Sequence, residues 1–485
     1  MEGNRSRGRG ALRSGLLTGI STAAVSGSAA VLGIILSRKF GHGVKTDGFF
    51  AAYGPYLALV LVAGSLRVVV LPRFVAAGSA GRLAHEVGAW VAALAAPLAL
   101  VVVIAIVWPH AIAAALTSDP QARDYAAGLL PWIVPSAVAQ IFGGLVASAL
   151  AALDDYNWAA FGFASGSVAG VVLTLLLVGH GVIALGWGLA LNGALSLVIP
   201  LAPLVARGGL GRPDGRVWGR LVQLGEGVAL PIALQGLYVV GYRYASGLGA
   251  GRATTFSYAY LIAAFLVSVT AASIALVATV PFAREGSSPE RTARHVVAIS
   301  WLSLVPVAAA AGVFALAGEG VVRRVLGPSY GGGTGAELGH LVVYLVPWMV
   351  ASVALTVAYP LVFVQGRGRW LPLLAAGALG VQVLVEWGGR AAFGLAGVAA
   401  GLALTTAAVL ALLLAALGAL RRVSAGVALA ACVCGGLALV AFGLPRIVIG
   451  PIAAALVGLV LYVAALAAWR PGGLRHAWAY VRTLQ

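Results

Sequence analysis

Apolar runs of about 20 residues recur almost without interruption from residue 14 to residue 468, and each can cross a hydrocarbon layer roughly 30 Å thick. In such a layer every backbone N–H and C=O must be satisfied within the protein, which restricts a chain with this pattern to a bundle of helices. Composition agrees: 61% of the 485 residues are hydrophobic, 9% are charged and the mean hydropathy is +1.00, outside the range of water-soluble domains. The expected fold is an all-α polytopic membrane protein of about 14 transmembrane helices. The spans begin at 14–36 and 49–70, include 224–248, 370–388 and 393–420, and end at 424–444 and 447–468. The first is not expected to be a cleaved leader, because Leu16 to Leu36 leads directly into another span.

The net charge of +17 does not point to nucleic acid, since the basic residues lie in short loops rather than in a stripe or tail. They follow the positive-inside pattern instead. Of the 31 Lys and Arg, 20 fall in segments on one expected side, nine on the other and two, Arg67 and Arg243, within spans. Arg5, Arg7, Arg9 and Arg13 at the start, and Arg470, Arg475 and Arg482 at the end, place both termini in the cytoplasm. Scarce Lys beside abundant Arg, Ala and Gly fits a GC-rich bacterial genome and a bacterial plasma membrane. Cys432 and Cys434 form a C-x-C within one span and point to different faces, and the seven histidines are dispersed, so no metal or disulfide is expected. No G-x-x-x-x-G-K-[ST] motif occurs, and no cofactor is expected.

The chain repeats itself. Thr46 and Pro72 have counterparts 209 residues on in Thr255 and Pro281, Leu130 to Val134 (LPWIV) returns as Val346 to Val350 (VPWMV), and Asn157-Trp158 as Arg369-Trp370. A shift of six spans preserves orientation, so two like-oriented six-helix repeats are expected around a central cavity, with two extra helices at the carboxyl end. The corresponding domains are 1–205, a cytoplasmic linker 206–223 of solvated charges, 224–420, and 421–485 with the accessory pair and tail.

Charge at the mouth of a bilayer helix is costly and usually serves a ligand or partner. Arg38, Lys39, Lys45 and Asp47 crowd the turn between the first two spans, and Arg67 lies about 27 Å along the second, at 1.5 Å per residue. Lys39 and Lys45 read as headgroup anchors; Asp47 suits the N-cap of the second helix and also a pairing with Arg38. Arg243 is flanked by Tyr242 and Tyr244, which fits an interfacial belt or a cavity. Glu386 is spaced one turn from Arg390 for an ion pair; with Thr405 or Thr406 it is also a candidate for ion coupling.

At F-G-x-G-x-x-T-D-x-F-F, carried by Phe40, Gly41, Gly43, Thr46, Asp47, Phe49 and Phe50, the sequence resembles the lipid II flippase family of the multidrug/oligosaccharidyl-lipid/polysaccharide (MOP) exporter superfamily. Ser148 to Trp158 and the Gly394-Leu395-Ala396-Gly397 stretch extend the likeness. The resemblance implies alternating access and a cationic cavity for an undecaprenyl-pyrophosphate-linked sugar, with Arg38, Asp47 and Arg67 as substrate-binding candidates; Arg243 joins them because its span is the repeat mate of the one ending in Arg38. A guanidinium fork matches the paired oxygens of a pyrophosphate. Two positions depart from the family pattern: the eighth span has no arginine after Ser257-Tyr258, and the seventh has Tyr242-Arg243-Tyr244 where the family carries an aspartate.

The expected activity is translocation of a lipid-linked anionic glycan precursor, with membrane lipids and glycan-synthesis enzymes as further partners. A drug or metabolite antiporter of the same fold and a non-transporting scaffold of wall synthesis are the alternatives. A membrane-embedded glycosyltransferase is disfavoured, because the external loops are too short for a carboxylate or metal site, and the chain is expected not to be an enzyme.

Overall fold

The computed structural model describes residues 21, 24–213, 217–272 and 288–483. Arg5, Arg7, Arg9, Arg13 and Pro281 lie outside the described residues. Two compact units make up the chain, Met1–Val239 and Val240–Gln485.

In the first unit a helix over 24–40 (α1) is followed by α2 (Val44–Ser79), α3 (Leu83–Val107), the short α4 (Pro109–Leu116), α5 (Pro120–Ala152), α6 (Asn157–Leu177), α7 (Ile183–Ala206) and most of α8 (Val217–Ser246). The α5 helix starts where the sequence dictates: Asp119 accepts a hydrogen bond from Ala122 N at 2.9 Å and Pro120 occupies the first turn, the arrangement that satisfies an orphan donor and needs no N–H from proline. It is the centre of its unit, with α2 and α7 packed along it and α6 along α7.

Small residues permit these contacts. A Cβ on Gly188 of α7 would lie 2.0 Å from Thr174 Oγ1 and 2.5 Å from Gly170 O on α6, so the two backbones touch there. Such close approach is how membrane helices gain packing energy without a hydrophobic driving force between them.

The second unit continues with the rest of α8, then α9 (Arg252–Val267, ending in a π-helical turn at Ser268–Ala272), α10 (Pro289–Leu326), α11 (Gly333–Tyr344), α12 (Val346–Val364), α13 (Leu371–Ala416), α14 (Leu420–Val448), α15 (Pro451–Trp469) and α16 (Gly472–Thr483). Ser288 caps α10 by accepting from Arg291 N at 3.2 Å, with Pro289 next. The α14 and α15 helices pack on α10 and on each other.

Eleven described helices are long and apolar enough to cross a membrane, and α11 with α12, bent by 43°, passes the same test as a pair, for up to twelve. The 46-residue α13 contains Gly394 at φ 57°, a conformation open mainly to glycine, and this residue folds it into two antiparallel arms, 371–393 and 395–416. A Cβ on Gly397 would lie 1.9 Å from Gly389 O, so the arms meet backbone to backbone. Counting the arms separately and adding α1 gives the expected fourteen.

The sequence repeat has a local counterpart. Thr46 and Thr255 are both buried in the first turn of a helix. Each hydroxyl donates to the carbonyl of a preceding positive-φ glycine, Gly41 at 2.8 Å and Gly251 at 3.2 Å.

Arg207 and Arg212 of the linker are exposed, as expected of a solvated connection, but Arg220 is not. Gly211 N donates to Ala84 O at 2.8 Å, and Arg220, 6% exposed, pairs with Glu86 at 2.9 Å while Trp90 Nε1 donates to the same carboxylate at 3.0 Å. The cause is non-local: Arg220 finds its partner at the start of α3, and Arg207 pairs with Asp155 at 2.8 Å. Breaking a buried pair costs about 3–5 kcal/mol because one charge is left behind. Glu86→Ala is therefore expected to lower the thermal midpoint in detergent, and Glu86→Leu with Arg220→Met to recover most of the loss.

Candidate functional site

The sequence-predicted residues of the first unit divide between two ends of α2. At its start, Gly41 at φ 72° reverses the chain after α1, and Gly41 N donates to Ser37 O at 3.0 Å. Arg38, Lys39 and Lys45 are exposed around this turn. Asp47 is 3% exposed and lies in the first turn of α2, whose N-cap is Gly43; it does not take the capping position. Phe49 and Phe50 of the motif are buried, and Phe49, Tyr53 and Tyr56 form a stacked column with centroids 5.2 Å apart at each step. Gln140 Nε2 on α5 donates to Tyr56 Oη at 2.7 Å and anchors the column.

Arg67 is 20 residues beyond Asp47, about 30 Å at 1.5 Å per residue, so the two do not share a site. Arg67 is exposed and lines a pocket of about 280 Å³ with Ser21, Ser26, Tyr156 and Phe163. Ser21 Oγ closes one side by donating to Ala160 O at 2.9 Å. A cation edged by hydroxyls at this end of the unit suits an anionic headgroup entering from the side.

In the second unit Arg243 is half-buried in the last turn of α8. The more developed constellation lies on the α13 hairpin. Glu386 and Gln382 sit one turn apart on the first arm, both fully buried, and Gln382 Nε2 donates to Glu386 Oε1 at 2.5 Å. Gly401 on the returning arm faces the carboxyl group, where a Cβ would lie 3.1 Å from its Cδ. The hairpin register carries Thr405 and Thr406, each 1% exposed, to the level of Gln382.

Four oxygens in this cluster are buried without a hydrogen-bond partner: Glu386 Oε2, Gln382 Oε1, Thr405 Oγ1 and Thr406 Oγ1. Unsatisfied buried groups cost about 1–3 kcal/mol each, and native structures tolerate few of them without a reason. A carboxylate, an amide carbonyl and hydroxyls are hard oxygen donors, the kind that a proton or a small hard cation takes. Among the described residues no group of three or more His, Cys, Asp and Glu is placed to hold a metal.

Arg390 does not form the expected pair with Glu386. Its Nη2 donates to Gly247 O at 3.1 Å, just beyond α8, where helix-end carbonyls lack partners and a cation is favoured. Gln382 was missed by sequence reasoning; Q-x-x-x-E within an apolar run was the available signal. The aromatic column was missed as well, although F-x-x-x-Y-x-x-Y is its i, i+4, i+7 stripe.

No protein-family model and no curated protein matches the sequence. Solved structures do. The lipid II flippase MurJ in an inward closed conformation superposes with a TM-score of 0.75 at 12% identity, covering 94% of this chain and 99% of that one. The chain shares the fold of that structure. An inward-facing multidrug resistance MATE transporter of the MOP superfamily gives a TM-score of 0.64 at 16% identity over 82% of this chain and 94% of its own. A MOP-superfamily transporter from Pyrococcus furiosus, described as having a binding pocket of reverse polarity, gives 0.58 at 16% identity over 86% and 96%. The protein thus has the helices of a multi-pass membrane protein and shares its fold with these solved structures.

Proposed function

We propose that the protein is a flippase that moves a lipid-linked anionic glycan precursor, a polysaccharide or peptidoglycan intermediate, across a bacterial plasma membrane by alternating access, with both termini in the cytoplasm. The observation that carries this reading is the extent of the likeness to the MurJ flippase, 94% of this chain against 82% and 86% for the two other transporters. The physical problem is that a charged, sugar-bearing headgroup does not cross hydrocarbon unaided. Arginines that neutralise its phosphates in a wet pathway lower that barrier. In this reading Arg67 receives the headgroup at one membrane face, Arg38, Asp47 and Arg243 serve it at the other, and the α13 oxygen cluster supplies ion coupling. Glycan-synthesis enzymes would deliver and consume the cargo.

Arg38→Ala and Arg243→Ala are each expected to reduce translocation of a fluorescent undecaprenyl-pyrophosphate glycan in proteoliposomes by at least tenfold, with insertion unchanged. Wild-type rates in both would overturn the proposal. A second reading, a drug or metabolite antiporter, draws on the MATE likeness and on the same ion site. It is favoured instead if efflux of cationic dyes depends on Glu386 while glycan-lipid translocation is absent.

A further inference from the structure

The turn between the last span and the terminal helix holds a cleft that the transport reading does not use. The α15 helix ends at Trp469, which is 61% exposed, and Arg470 adopts φ 46°, a left-handed turn that redirects the chain into Pro471 and α16. A cleft of about 210 Å³ opens there. Its back wall is apolar, formed by Trp301 on α10 with Leu429 and Val433 on α14, and its rim carries Arg470 and Arg475. Gly473 permits the close seat of α16, because a Cβ there would lie 2.3 Å from the Trp301 ring.

The α16 helix has two dissimilar faces. One docks on α10 through Ala477, 1% exposed, and Tyr480, whose Oη lies 3.2 Å from His295 Nδ1. Burial raises the Tyr480 pKa, against the opposing effect of Arg291 and Arg294. The other face exposes Arg475, Trp478 and Arg482, at the i, i+3, i+7 positions of one stripe, and the Arg482 guanidinium lies 5.5 Å from the Trp478 ring centroid. Neither Arg470 nor Arg475 is paired with a carboxylate among the described residues. A basic, tryptophan-bearing face on a short helix that follows a span is the composition of a segment lying in the headgroup layer.

We propose that the Trp469–Arg475 turn binds the phosphate of an anionic phospholipid from the leaflet on the carboxyl-terminal side. Arg470 and Arg475 hold the phosphate, and the first methylenes of the acyl chain lie against Leu429 and Val433. Charge complementarity selects the occupant, since a zwitterionic choline headgroup would set its own cation against two guanidinium groups. The apolar wall selects a lipid over a soluble anion.

The test is native mass spectrometry of the full-length protein from neutral detergent with phosphatidylglycerol or phosphatidylcholine of identical chains. The wild type is expected to retain phosphatidylglycerol preferentially. Each of Arg470→Gln and Arg475→Gln should lower retention by roughly fivefold, the effect of one basic residue at an anionic surface. Arg446→Gln, at the other end of α14, should leave it unchanged, and millimolar inorganic phosphate should not displace the lipid. Equal retention of the two lipids, wild-type retention by the double variant, or displacement by phosphate alone would overturn the proposal. Should the double variant fail to fold, tryptophan quenching by brominated lipids decides. Brominated phosphatidylglycerol should quench more strongly than the choline lipid, with the excess removed by Trp469→Phe, and equal quenching would refute the site.

Discussion

Glutamine in place of Glu386 is expected to leave the protein folded and to remove ion-dependent transport. The amide keeps the size of the carboxyl group and can still accept from Gln382 Nε2, which donates to Glu386 Oε1 in the native chain, so packing of the α13 hairpin is preserved. What disappears is the carboxylate that a proton or small cation would neutralise, on a hairpin that also buries unsatisfied oxygens of Gln382, Thr405 and Thr406. A coupling free energy of about 1–3 kcal/mol corresponds to roughly 5- to 150-fold, and the stimulation of translocation by an imposed ion gradient should fall by that factor. Proteoliposome assays with and without sodium and proton gradients measure it. Wild-type gradient dependence in Glu386→Gln would make the cluster a structural feature only, and the same assay on Thr405→Val then separates hydroxyl ligation from packing.

Leucine at position 188 is expected to have the largest structural effect in the first unit. Its Cβ would meet Thr174 Oγ1 and Gly170 O inside 3 Å, and the second of these belongs to a helix backbone that cannot rotate away. Overpacking of this kind costs about 1–3 kcal/mol where side chains can adjust, and more where the backbone must move. Gly188→Leu should therefore lower the thermal midpoint and broaden the size-exclusion profile in detergent. Gly64→Ala is the comparison, since an added Cβ there meets nothing within 4 Å, and it should behave as wild type. Equal stability of the two variants would show that α6 and α7 separate at little cost.

The architecture was legible because the bilayer imposes so few solutions. Runs of about 20 apolar residues marked the helices and the 209-residue repeat marked two similar halves, whereas the starts of α5 at Asp119-Pro120 and α10 at Ser288-Pro289 and the reversal at Gly394 came from the structure. The site was less legible, for reasons that differ residue by residue. Periodicity along one helix paired Glu386 with Arg390, whereas the guanidinium reaches a carbonyl 143 residues away at Gly247. Glu86 and Arg220 are 134 residues apart, a distance at which spacing carries no information. Gln382 has no charge to stand out in an apolar run, yet its side chain is hydrogen-bonded to the buried carboxyl group. Arg38, Asp47 and Arg67 stood out by cost in hydrocarbon, a signal that marks residues as exceptional without saying which of them meet.

The reversal at Gly394 also bears on biogenesis. A carboxyl-bearing helix released singly into lipid would face a penalty of about 2.5–3.5 kcal/mol at mid-bilayer. Because the arms are joined by so tight a bend and meet at Gly389 and Gly397, they can leave the translocon as a closed pair, with the acidic side chain already shielded by its neighbour.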